Sequence, residues 1–359
     1  GDYLYLPRYG AVTGTVPYQG YNGLSPAGIA DPYLQWEGVR KFSAGLDLGF
    51  INDRIQFGLS YYRNKSYNGL NTYRLPVITG VNQIYTNFPA TVQNTGIQIQ
   101  VSATPIKTKA LNWISSFNLS ANRNKVVSFP DIENSSYAGG QSGVVVGEPI
   151  GVMKIYRYMG IDPVKGNYLF QDVNGKPSEL SSQLARIFYI SPLADWSGGW
   201  SNTISYNGIT LDFNFRFVRQ LGPNVGYYLN SGGPSPGAQT LFANGETNQP
   251  ITVMGRWQKP GDLNTKIQRF TTVNDAGLTR LMQSDAGYSY DASFIRLSNA
   301  SLTWQLPKKL LTKAHVQSGS IFFRGQNLMT ITKYAGLDPE SGNALPPLQI
   351  WTFGFNLVL

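Results

Sequence analysis

The stretch Ile209-Thr-Leu-Asp-Phe-Asn-Phe-Arg-Phe217 decides the fold of this chain. Every second residue is apolar, and the residues between them are Thr, Asp, Asn and Arg. Because side chains alternate across a β-strand, this segment has one apolar and one polar face. A soluble β-sandwich also shows alternation. The length of the run, its phenylalanines and its strongly polar second face are nevertheless typical of a transmembrane β-barrel strand between lipid and a watery lumen.

The same alternation recurs along the chain, and nowhere does it become the unbroken apolar run of a membrane helix. It predicts an all-β, transmembrane antiparallel β-barrel segment of about ten strands. The predicted strands are 41–51, 54–64, 94–106, 111–127, 147–161, 200–206, 209–219, 292–306, 319–329 and 348–359.

Short turns and long loops alternate between the predicted strands. Asn52-Asp53, residues 107–110 and Asn207-Gly208 are tight connections, and Asn-Gly is the strongest short hairpin signal. The other connections are long. Outer-membrane barrels sort their connections in this way, with short periplasmic turns and long extracellular loops, so the pattern favours a barrel of that type.

Composition agrees with a β-rich chain and excludes several kinds of site. Charged residues make up 14%, aromatic residues 13%, and there are 39 Gly and 21 Pro among 359 residues. Cysteine is absent and His315 is the single histidine, so neither a thiolate site nor a two-histidine zinc motif exists, and we expect no cofactor. The net charge of +9 is spread over scattered Lys and Arg residues, so we expect no nucleic-acid partner.

No motif in the chain indicates an enzyme. His315 has no Ser-His-Asp arrangement around it and is predicted to be a solvated turn residue. The segment Asp172-Val-Asn174-Gly175 has the first residues of a calcium loop but lacks the later carboxylate, so a plain β-turn is predicted. Gly139-Gly140 and Gly232-Gly233 do not lie between a strand and a helix, which makes them loops rather than phosphate-binding turns. We therefore expect no catalytic residue and no metal site.

Aromatic residues fall into two groups. Trp113, Trp304, Trp351 and Tyr206 lie near strand ends, where they predict an interfacial girdle. A second group lies in long loops, where an aromatic face can stack on a sugar ring or a peptide side chain. These candidate ligand-binding residues are Tyr73, Tyr85, Tyr227, Tyr228 and Trp257. The alternative for the loop group is packing within the loops or contact with a partner protein.

Short motifs occur in a fixed order along nearly the whole chain. They are Leu34-Gln-Trp36-Glu37, Gly45-Leu-Asp47, Asn52-Asp53-Arg54-Ile55, Tyr61-Tyr62, Gly147-Glu148-Pro149-Ile150-Gly151, Gly198-Gly199-Trp200-Ser-Asn202-Thr203, Trp257-Gln-Lys259-Pro260-Gly261-Asp262, Asp291-Ala-Ser-Phe294-Ile295-Arg296-Leu297-Ser-Asn299, Gly325-Gln326-Asn327-Leu328 and Tyr334-Ala-Gly336-Leu-Asp338-Pro339-Glu340. In this order they resemble the barrel of SusC-like (SusC/RagA) TonB-dependent outer-membrane receptors.

The resemblance implies a division of the receptor in which residues 1–359 form the C-terminal portion of a barrel of about 22 strands. Residues 1–40 would then be an extracellular loop leading into the first strand. The plug and the N-terminal half of the barrel would lie outside this chain. Ten strands alone leave two unpaired edges, which lipid does not tolerate, so we expect a fragment or a part of a longer receptor.

The resemblance also implies a function. It is the import of an oligosaccharide or a peptide across the outer membrane of a Gram-negative bacterium of the Bacteroidota. A SusD-like lipoprotein would cover the barrel, the TonB complex would act through the N-terminal part, and the remaining partners would be the N-terminal barrel half, the plug and outer-membrane lipid. One alternative is a structural or adhesive barrel subunit of a larger surface complex. Another, a soluble glycan-binding β-sandwich, would need polar residues at Phe213, Phe215 and Phe217.

The motif from Asp291 to Asn299 is interpreted as barrel architecture. Polar residues on and after it are expected to face the lumen or its rim and to bond the plug or a neighbouring strand. These residues are Arg296, Asn299, Arg324 and Gln326.

Overall fold

The structure, a computed structural model, describes most of the chain. The described residues are 5–11, 19–21, 23–75, 78, 83–135, 137, 143–179, 186, 188–191, 193–224, 254–262, 264–270, 276–288, 290–312, 316–342 and 345–358. Strands dominate this part, and none of its helices is long and apolar enough to cross a bilayer.

The strands of the described part range from two to 18 residues. They are β1 (Arg8–Ala11), β2 (Leu24–Gly28), β3 (Gly38–Phe50), β4 (Ile55–Tyr67), β5 (Gly69–Arg74), β6 (Gln83–Phe88), β7 (Thr91–Lys107), β8 (Leu111–Ser128), β9 (Met153–Ile155), β10 (Tyr158–Ile161), β11 (Tyr168–Gln171), β12 (Pro177–Ser178), β13 (Phe188–Ile190), β14 (Trp196–Tyr206), β15 (Ile209–Arg219), β16 (Leu221–Gly222), β17 (Tyr290–Asp291), β18 (Phe294–Gln305), β19 (Ser318–Thr332) and β20 (Ile350–Val358). The helices are short. They are a 3₁₀ turn (Ile132–Asn134), α1 (Ala276–Met282), α2 (Asp285–Tyr288) and α3 (Lys308–Leu311).

The long strands form one nine-stranded sheet in the order β20-β19-β18-β15-β14-β8-β7-β4-β3. The order follows the chain, so each long strand pairs with the long strand before it and the one after it. Pairing is antiparallel from β8 to β20. The smaller strands pair within the connections, as β1-β2, β5-β6, β10-β11-β12, β13-β9 and β16-β17.

The two faces of the sheet differ as the sequence predicts. Trp200 of β14 lies opposite Phe215 of β15, and their rings stack with centroids 5.9 Å apart. On the same face, the rings of Phe117 and Phe217 stack at 5.5 Å. Thr203 and Asp212, which also lie opposite each other, are hydrogen-bonded on the other face. We call the two sides the apolar face and the polar face.

Gly198 shows how closely the aromatic side chains cover the apolar face. A Cβ atom at this position would lie 2.4 Å from the ring of Phe217 and 2.2 Å from the carbonyl oxygen of Asn118. Only glycine therefore lets the rings of Phe117 and Phe217 meet across β14. This contact fixes the register of three strands.

Two tryptophans of the apolar face donate hydrogen bonds to polar side chains on the same face. The indole N–H of Trp113 donates to Oδ1 of Asn202 at 3.0 Å, and that of Trp200 donates to Oγ of Ser115 at 2.9 Å. Polar groups are costly in hydrocarbon unless they are bonded, so these two bonds lower the cost of the indole N–H groups on a lipid-facing surface, whereas the buried Nδ2 of Asn202 has no partner within the described residues. The expected girdle residues Trp304, Trp351 and Tyr206 are exposed on this same face. Their interfacial role stays a prediction.

The tight turns form at the predicted places. Asn207 and Gly208 have φ values of 46° and 85°, the left-handed pair that a two-residue hairpin requires. Ile51, Asn52 and Asp53 also have positive φ in the connection between β3 and β4. Long connections follow β4, β8, β15 and β19, and the connection between β18 and β19 contains α3.

One predicted strand was wrong. Residues 147–161 do not join the nine-stranded sheet, because Gly147 and Gly151 adopt φ values of 97° and 79°, which break an extended run. Instead, the amide of Gly147 donates to the carbonyl oxygen of Val126 at 2.9 Å, and β9 and β10 pair with strands of the connections. The other nine predicted strands are present, with ends that differ by four residues at most.

The chain divides into two compact units. The first comprises Gly1–Ala44, Tyr61–Gly96 and Arg123–Val152, and the second comprises Gly45–Ser60, Ile97–Asn122 and Met153–Leu359. Each contains a hydrophobic cluster built mainly by residues of its connections. In the first unit the cluster is Phe88, Ala90, Val126, Phe129 and Val144. In the second unit it is Tyr168, Phe170, Leu278 and Leu281.

The two-faced sheet leads to a matched pair of substitutions. Phe215→Arg places a charge on the apolar face near the middle of β15, whereas Asn214→Arg places the same charge on the polar face. We expect the first change to lower the stability of the membrane-inserted protein by about 2–4 kcal/mol and the second by far less. The measurement is the heat-modifiable folded fraction of the full-length protein after refolding into lipid vesicles. Equal losses for the two variants would contradict the face assignment.

Candidate functional site

The polar face carries a continuous strip of hydrogen-bonding side chains across four neighbouring strands. We call it the polar strip; its members are Ser201 and Thr203 of β14, Asp212 and Asn214 of β15, Asn299 and Ser301 of β18, and Arg324 and Gln326 of β19. These residues border an open concavity of about 420 Å³. Three of the four residues expected to face the lumen or rim, Asn299, Arg324 and Gln326, belong to the strip.

Hydrogen bonds between strands hold the polar strip in place. The hydroxyl of Thr203 donates to Oδ1 of Asp212 at 2.6 Å, and that of Ser301 donates to Oδ2 of Asp212 at 3.3 Å. The amide of Asn214 donates to the hydroxyl of Ser201 at 2.6 Å. Cross-strand bonds of this kind stabilise the sheet and set the direction of each side chain. The strip is thus a fixed surface of hydroxyl, amide and carboxylate groups.

Arg324 adds a positive charge to the polar strip. Its guanidinium lies 4.3 Å from the ring centroid of Phe322, which is two residues away on the same face. Stacking on an aromatic ring orients the planar guanidinium and leaves its N–H groups directed outward from the ring edge. The strip therefore presents both a carboxylate, Asp212, and an oriented cation.

Arg296 is the centre of an ion cluster at the long-loop end of the polar face, which we call the ionic latch. Its guanidinium bonds Asp338 and Glu340, both in the connection between β19 and β20, and its Nε donates to the Thr330 hydroxyl at 3.0 Å. The bond to Glu340 is 3.0 Å long. Arg216, directly opposite Arg296 in the sheet, bonds the other oxygen of Glu340.

Each side-chain nitrogen of Arg296 and each carboxylate oxygen of Asp338 has a hydrogen-bond partner. The side chains of Arg296 and Asp338 are 5% and 6% exposed, whereas those of Arg216 and Glu340 are 48% and 38% exposed. Oδ1 of Asp338 also accepts the backbone N–H groups of Glu340 and Ser341 at 2.9 and 3.0 Å. A buried ion pair is tolerated only when its remaining polar atoms are bonded in this way.

The latch explains two of the sequence motifs. The Asp291–Asn299 motif supplies the arginine, and the Tyr334–Glu340 motif supplies both carboxylates. Further bonds join the Tyr334–Glu340 motif to the segment after β15: Tyr334 Oη donates to the Pro223 carbonyl at 3.0 Å, and Gln220 Nε2 donates to the Pro339 carbonyl at 2.8 Å. Sequence reasoning placed Arg296 at the lumen or rim but missed Asp338 and Glu340 as its partners.

The Gly325-Gln326-Asn327-Leu328 motif forms a β-bulge. Register shifts between Leu297 and Asn299 of β18, and Asn327 has a φ value of 54°. Asparagine tolerates this left-handed conformation better than most residues, and its amide donates to the Leu348 carbonyl at 2.9 Å. The side chain of Asn327 in this bulge thus links β19 to the segment that precedes β20.

Tyr73 and Tyr85 lie on the β5–β6 hairpin, at neighbouring pairs of its ladder. Tyr73 is opposite Ile84 and Tyr85 is opposite Thr72, so the two rings point to opposite sides of the hairpin. The ring of Tyr73 lies 6.3 Å from that of Tyr137, which packs against the hydrophobic cluster of the first unit. Tyr73 therefore takes part in loop packing. Burial of the Tyr137 hydroxyl raises the pKa of Tyr137, and the nearby Tyr73 raises it further.

Trp257 lies in a segment that packs on the turn between β10 and β11. A Cβ atom on Gly166 would come within 2.4 Å of its ring, so one ring face covers that glycine. The Arg269 amide donates to the Gly166 carbonyl at 2.8 Å, and the Gly261 amide donates to that of Pro163 at 3.0 Å. The buried indole N–H has no hydrogen-bond partner within the described residues.

The remaining sequence candidates divide between described and undescribed residues. Tyr227, Tyr228, His315 and the two Gly-Gly pairs lie outside the described residues. Asp172 forms the predicted β-turn, since its Oδ1 accepts the amides of Asn174 and Lys176 at 2.9 and 2.7 Å. Within the described part of the chain, no group of three or more metal-binding side chains occurs.

A polar chain stabilises the loop region around Trp257. Glu179 accepts hydrogen bonds from Asn167 Nδ2 at 2.7 Å and Lys165 Nζ at 2.6 Å. These two bonds, with the Asn167 bond contributing most, hold the pKa of Glu179 below its ordinary value of 4.5. Arg269 Nε donates to Oδ1 of Asn167 at 2.8 Å and thereby links the Trp257 segment to the same chain.

Comparison with known proteins gives consistent matches in sequence and structure. TonB-dependent receptor P3 of Formosa agariphila is 27% identical over 364 residues, which cover 94% of this chain and 34% of that protein. TonB-dependent receptor SusC of Bacteroides thetaiotaomicron is 26% identical and is matched over 99% of this chain and 36% of its own length. No protein-family model matches the chain.

The RagAB peptide transporter structure aligns with a TM-score of 0.80 and 23% identity, covering 99% of this chain and 39% of that chain. The chain is similar to the SusC-like TonB-dependent receptors. The resemblance seen in the sequence motifs is confirmed, and so is the fold: the nine-stranded sheet matches part of the β-barrel of a TonB-dependent receptor. The similar proteins are named as receptors and importers, not as enzymes, as expected.

The chain spans about a third of the length of the curated SusC-like relatives. On the barrel wall, the polar face corresponds to the lumen side and the apolar face to the lipid side.

Removing Arg296 tests the ionic latch. Arg296→Met leaves Asp338 buried without its partner, and losing one member of a buried pair costs about 3–5 kcal/mol. Arg216→Met removes a half-exposed bond, for which about 0–1 kcal/mol is expected. We expect protease cleavage within residues 333–349 to accelerate strongly for the first variant and little for the second. Cleavage rates on the folded full-length protein, measured by mass spectrometry, check this; equal rates would refute a latch centred on Arg296.

The Glu179 interaction predicts a local pH dependence. Its pKa in the folded chain is lowered from 4.5, so its contribution to stability is complete above pH 4.5 and is lost as the pH falls through the folded value. Hydrogen-exchange protection of residues 162–179, corrected for the intrinsic rate at each pH, is expected to fall below pH 4.5. Glu179→Gln should reduce protection at neutral pH and remove the part of that dependence that Glu179 causes, leaving the part due to Asp162, whose pKa is lowered by the amides of Lys165 and Val164. An unchanged profile in the variant would assign the transition to another group.

Proposed function

We propose that this chain is the C-terminal portion of the barrel of a TonB-dependent outer-membrane importer. Residues 1–40 would be the extracellular loop that leads into β3, and the plug and N-terminal barrel half would belong to other parts of the same receptor. The whole receptor would capture a nutrient at the cell surface and pass it to the periplasm. The likeness to SusC-like receptors over nearly the whole chain supports this proposal.

The observation that carries the proposal is the polar strip on one face of a sheet whose other face is apolar. Lipid can cover the apolar face, and the hydroxyl, amide and carboxylate groups of the strip suit contact with a hydrated solute or a plug. Polar side chains follow one another across the four strands from Ser201 to Gln326, so the strip fits a transport path better than a closed core.

We propose an oligosaccharide or a peptide as the substrate, with the loop aromatics as its contacts. The candidates are Tyr73, Tyr85, Tyr227, Tyr228 and Trp257. Tyr73 packs beside Tyr137, and Trp257 covers Gly166 with one ring face, so a ligand would stack on the opposite face of Trp257. The RagAB peptide transporter is among the similar structures, which supports the peptide alternative.

The proposed partners are those that import across the outer membrane would require. A SusD-like lipoprotein would cover the long loops, and the TonB complex would deliver energy through the N-terminal part. The RagAB structure supports a two-component assembly for this barrel type. Outer-membrane lipid would surround the apolar face.

Uptake by cells tests the proposed function. A strain that lacks the receptor is complemented with the wild-type or a variant receptor, and uptake of labelled oligosaccharide and peptide mixtures is measured. We expect wild-type uptake of one mixture to stop when the proton-motive force is collapsed. Trp257→Ala should raise the half-saturation concentration roughly 2- to 12-fold, the effect of losing one aromatic contact, while Tyr206→Ala at the short-turn end should not.

Unchanged uptake would contradict the proposed import. If the inserted, heat-modifiable receptor leaves uptake of both mixtures unchanged relative to the deletion strain, import is refuted. A loss of surface adhesion or of complex assembly in the same strain would then support a structural or adhesive barrel subunit.

A further inference from the structure

Five cations gather on the apolar face at the long-loop end of β3, β4 and β8. We call them the basic band: Arg40, Arg63, Lys65, Arg123 and Lys125. In sequence Arg63 and Lys65, like Arg123 and Lys125, are separated by one residue, and Arg40 is followed by Lys41 on the other face, so the five form no basic run. The alternation of each strand places them on the same face as Phe42, Tyr61 and Leu119.

Contacts between neighbouring strands confirm this placement. The Arg40 guanidinium lies 5.6 Å from the ring centroid of Tyr67, and a Cβ atom on Gly38 would meet the same ring at 2.2 Å. Phe42 and Tyr61 touch edge to face with ring centroids 6.3 Å apart. These residues of β3 and β4 therefore share one side of the sheet.

The same holds for β7 and β8. Nε of Arg63 donates to Oε1 of Gln93 at 2.8 Å, so Gln93 shares the face of the basic band. On the opposite, polar face, Asn124 Nδ2 donates to Oδ1 of Asn94 at 2.8 Å. Arg123 and Lys125, which flank Asn124 in the strand, consequently point to the apolar side together with Gln93.

The strand segments that carry the band have charge of one sign. The strand residues 38–44, 61–67, 91–97 and 119–127 contain no Asp or Glu on either face. Neighbouring strands lie about 4.8 Å apart, so the band extends roughly 15 Å across the four strands. Arg40, Arg63, Arg123 and Lys125 are exposed, and Lys65 is half-buried.

The band lies at the edge of a lipid-facing surface. Along β3 the alternation continues from Arg40 to Phe42, Ala44 and Leu46, so cations give way to apolar side chains within one strand. A lipid whose acyl chains contact the apolar residues has its headgroup at the level of the cations. Clustered Lys and Arg at a membrane surface attract anionic headgroups, and guanidinium groups bind phosphate through paired N–H donors.

We propose that the basic band binds the phosphate groups of a phosphorylated glycolipid in the outer leaflet. Arg40, held on Tyr67, and Arg63, held by Gln93, are already oriented for it. The proposal rests on insertion of the barrel with its long loops outward. It does not depend on which nutrient is transported, so it can fail while the proposed import stands.

Lipid retention by the full-length receptor tests the proposal. The variant carries Arg63→Gln, Lys65→Gln, Arg123→Gln and Lys125→Gln. The control carries the same loss of charge at the short-turn end, as Arg54→Gln, Lys107→Gln, Lys109→Gln and Lys309→Gln. Each protein is titrated with phosphorylated lipid A, with dephosphorylated lipid A or with inorganic phosphate, and bound molecules are counted by native mass spectrometry.

We expect at least a five-fold weaker affinity for phosphorylated lipid A in the basic-band variant and an unchanged affinity in the control. Dephosphorylated lipid A should bind both proteins weakly and equally, and 500 mM NaCl should weaken wild-type binding because it screens the charges. Unchanged binding by the basic-band variant, or an equal loss in the control, would overturn the proposal. Tight binding of free phosphate alone would indicate an anion site rather than a lipid site.

Folding of the basic-band variant is checked by heat modifiability. If it does not insert, Lys65→Gln and Arg123→Gln are measured singly against Lys109→Gln. Each is expected to lower the affinity for phosphorylated lipid A roughly two-fold or more. An affinity equal to that of Lys109→Gln contradicts the proposal. Binding of an acidic peptide in preference to the lipid would assign the band to a protein partner and also overturn it.

Discussion

The alternation of side chains across a strand is the constraint on which the rest of this structure depends. In β15 it places five aromatic or aliphatic positions on one side and Asp212 and Asn214 on the other. A one-residue shift would turn every side chain to the wrong face. Register is therefore held from both sides, by the contact of Phe117 and Phe217 across Gly198 and by the bond between Thr203 and Asp212.

A sheet with lipid on one side and water on the other has no protein core of its own. The described hydrophobic clusters lie mainly in the connections, around Phe88 and Phe129 in the first unit and around Tyr168 and Phe170 in the second. The connection between β19 and β20 is held differently, by the buried charge of Arg296. The long loops are consequently folded structures in which aromatic residues pack against one another and also have exposed surfaces.

Sequence reasoning predicted what depends on local periodicity and turn chemistry. Alternation located nine long strands, and Asn207-Gly208 located a hairpin. The strand prediction failed at residues 147–161. Their composition resembles that of a strand, but the positive φ values of Gly147 and Gly151 interrupt the extended backbone. The resemblance to SusC-like receptors then supplied the barrel, which comparison confirmed.

Contacts between distant parts of the chain were beyond prediction. The bond of Arg296 with Asp338 joins residues 42 positions apart, and nothing local to either residue indicates the other. The basic band was invisible for a related reason. Its members are one or two charges on each of three strands, at positions far apart in the sequence, and only the sheet brings Arg63 and Lys125 to one face.

Solvent and lipid accessibility along β15 tests the central claim most directly. The chain contains no cysteine, so a single Cys at each position from 210 to 217 accepts one spin label in this region. In the bilayer-inserted full-length protein, the account predicts that oxygen accessibility peaks at 211, 213, 215 and 217. It also predicts that accessibility to a water-soluble nickel complex peaks at 210, 212, 214 and 216. A profile without this two-residue period, or with the two faces exchanged, would contradict a barrel wall that separates lipid from a polar lumen.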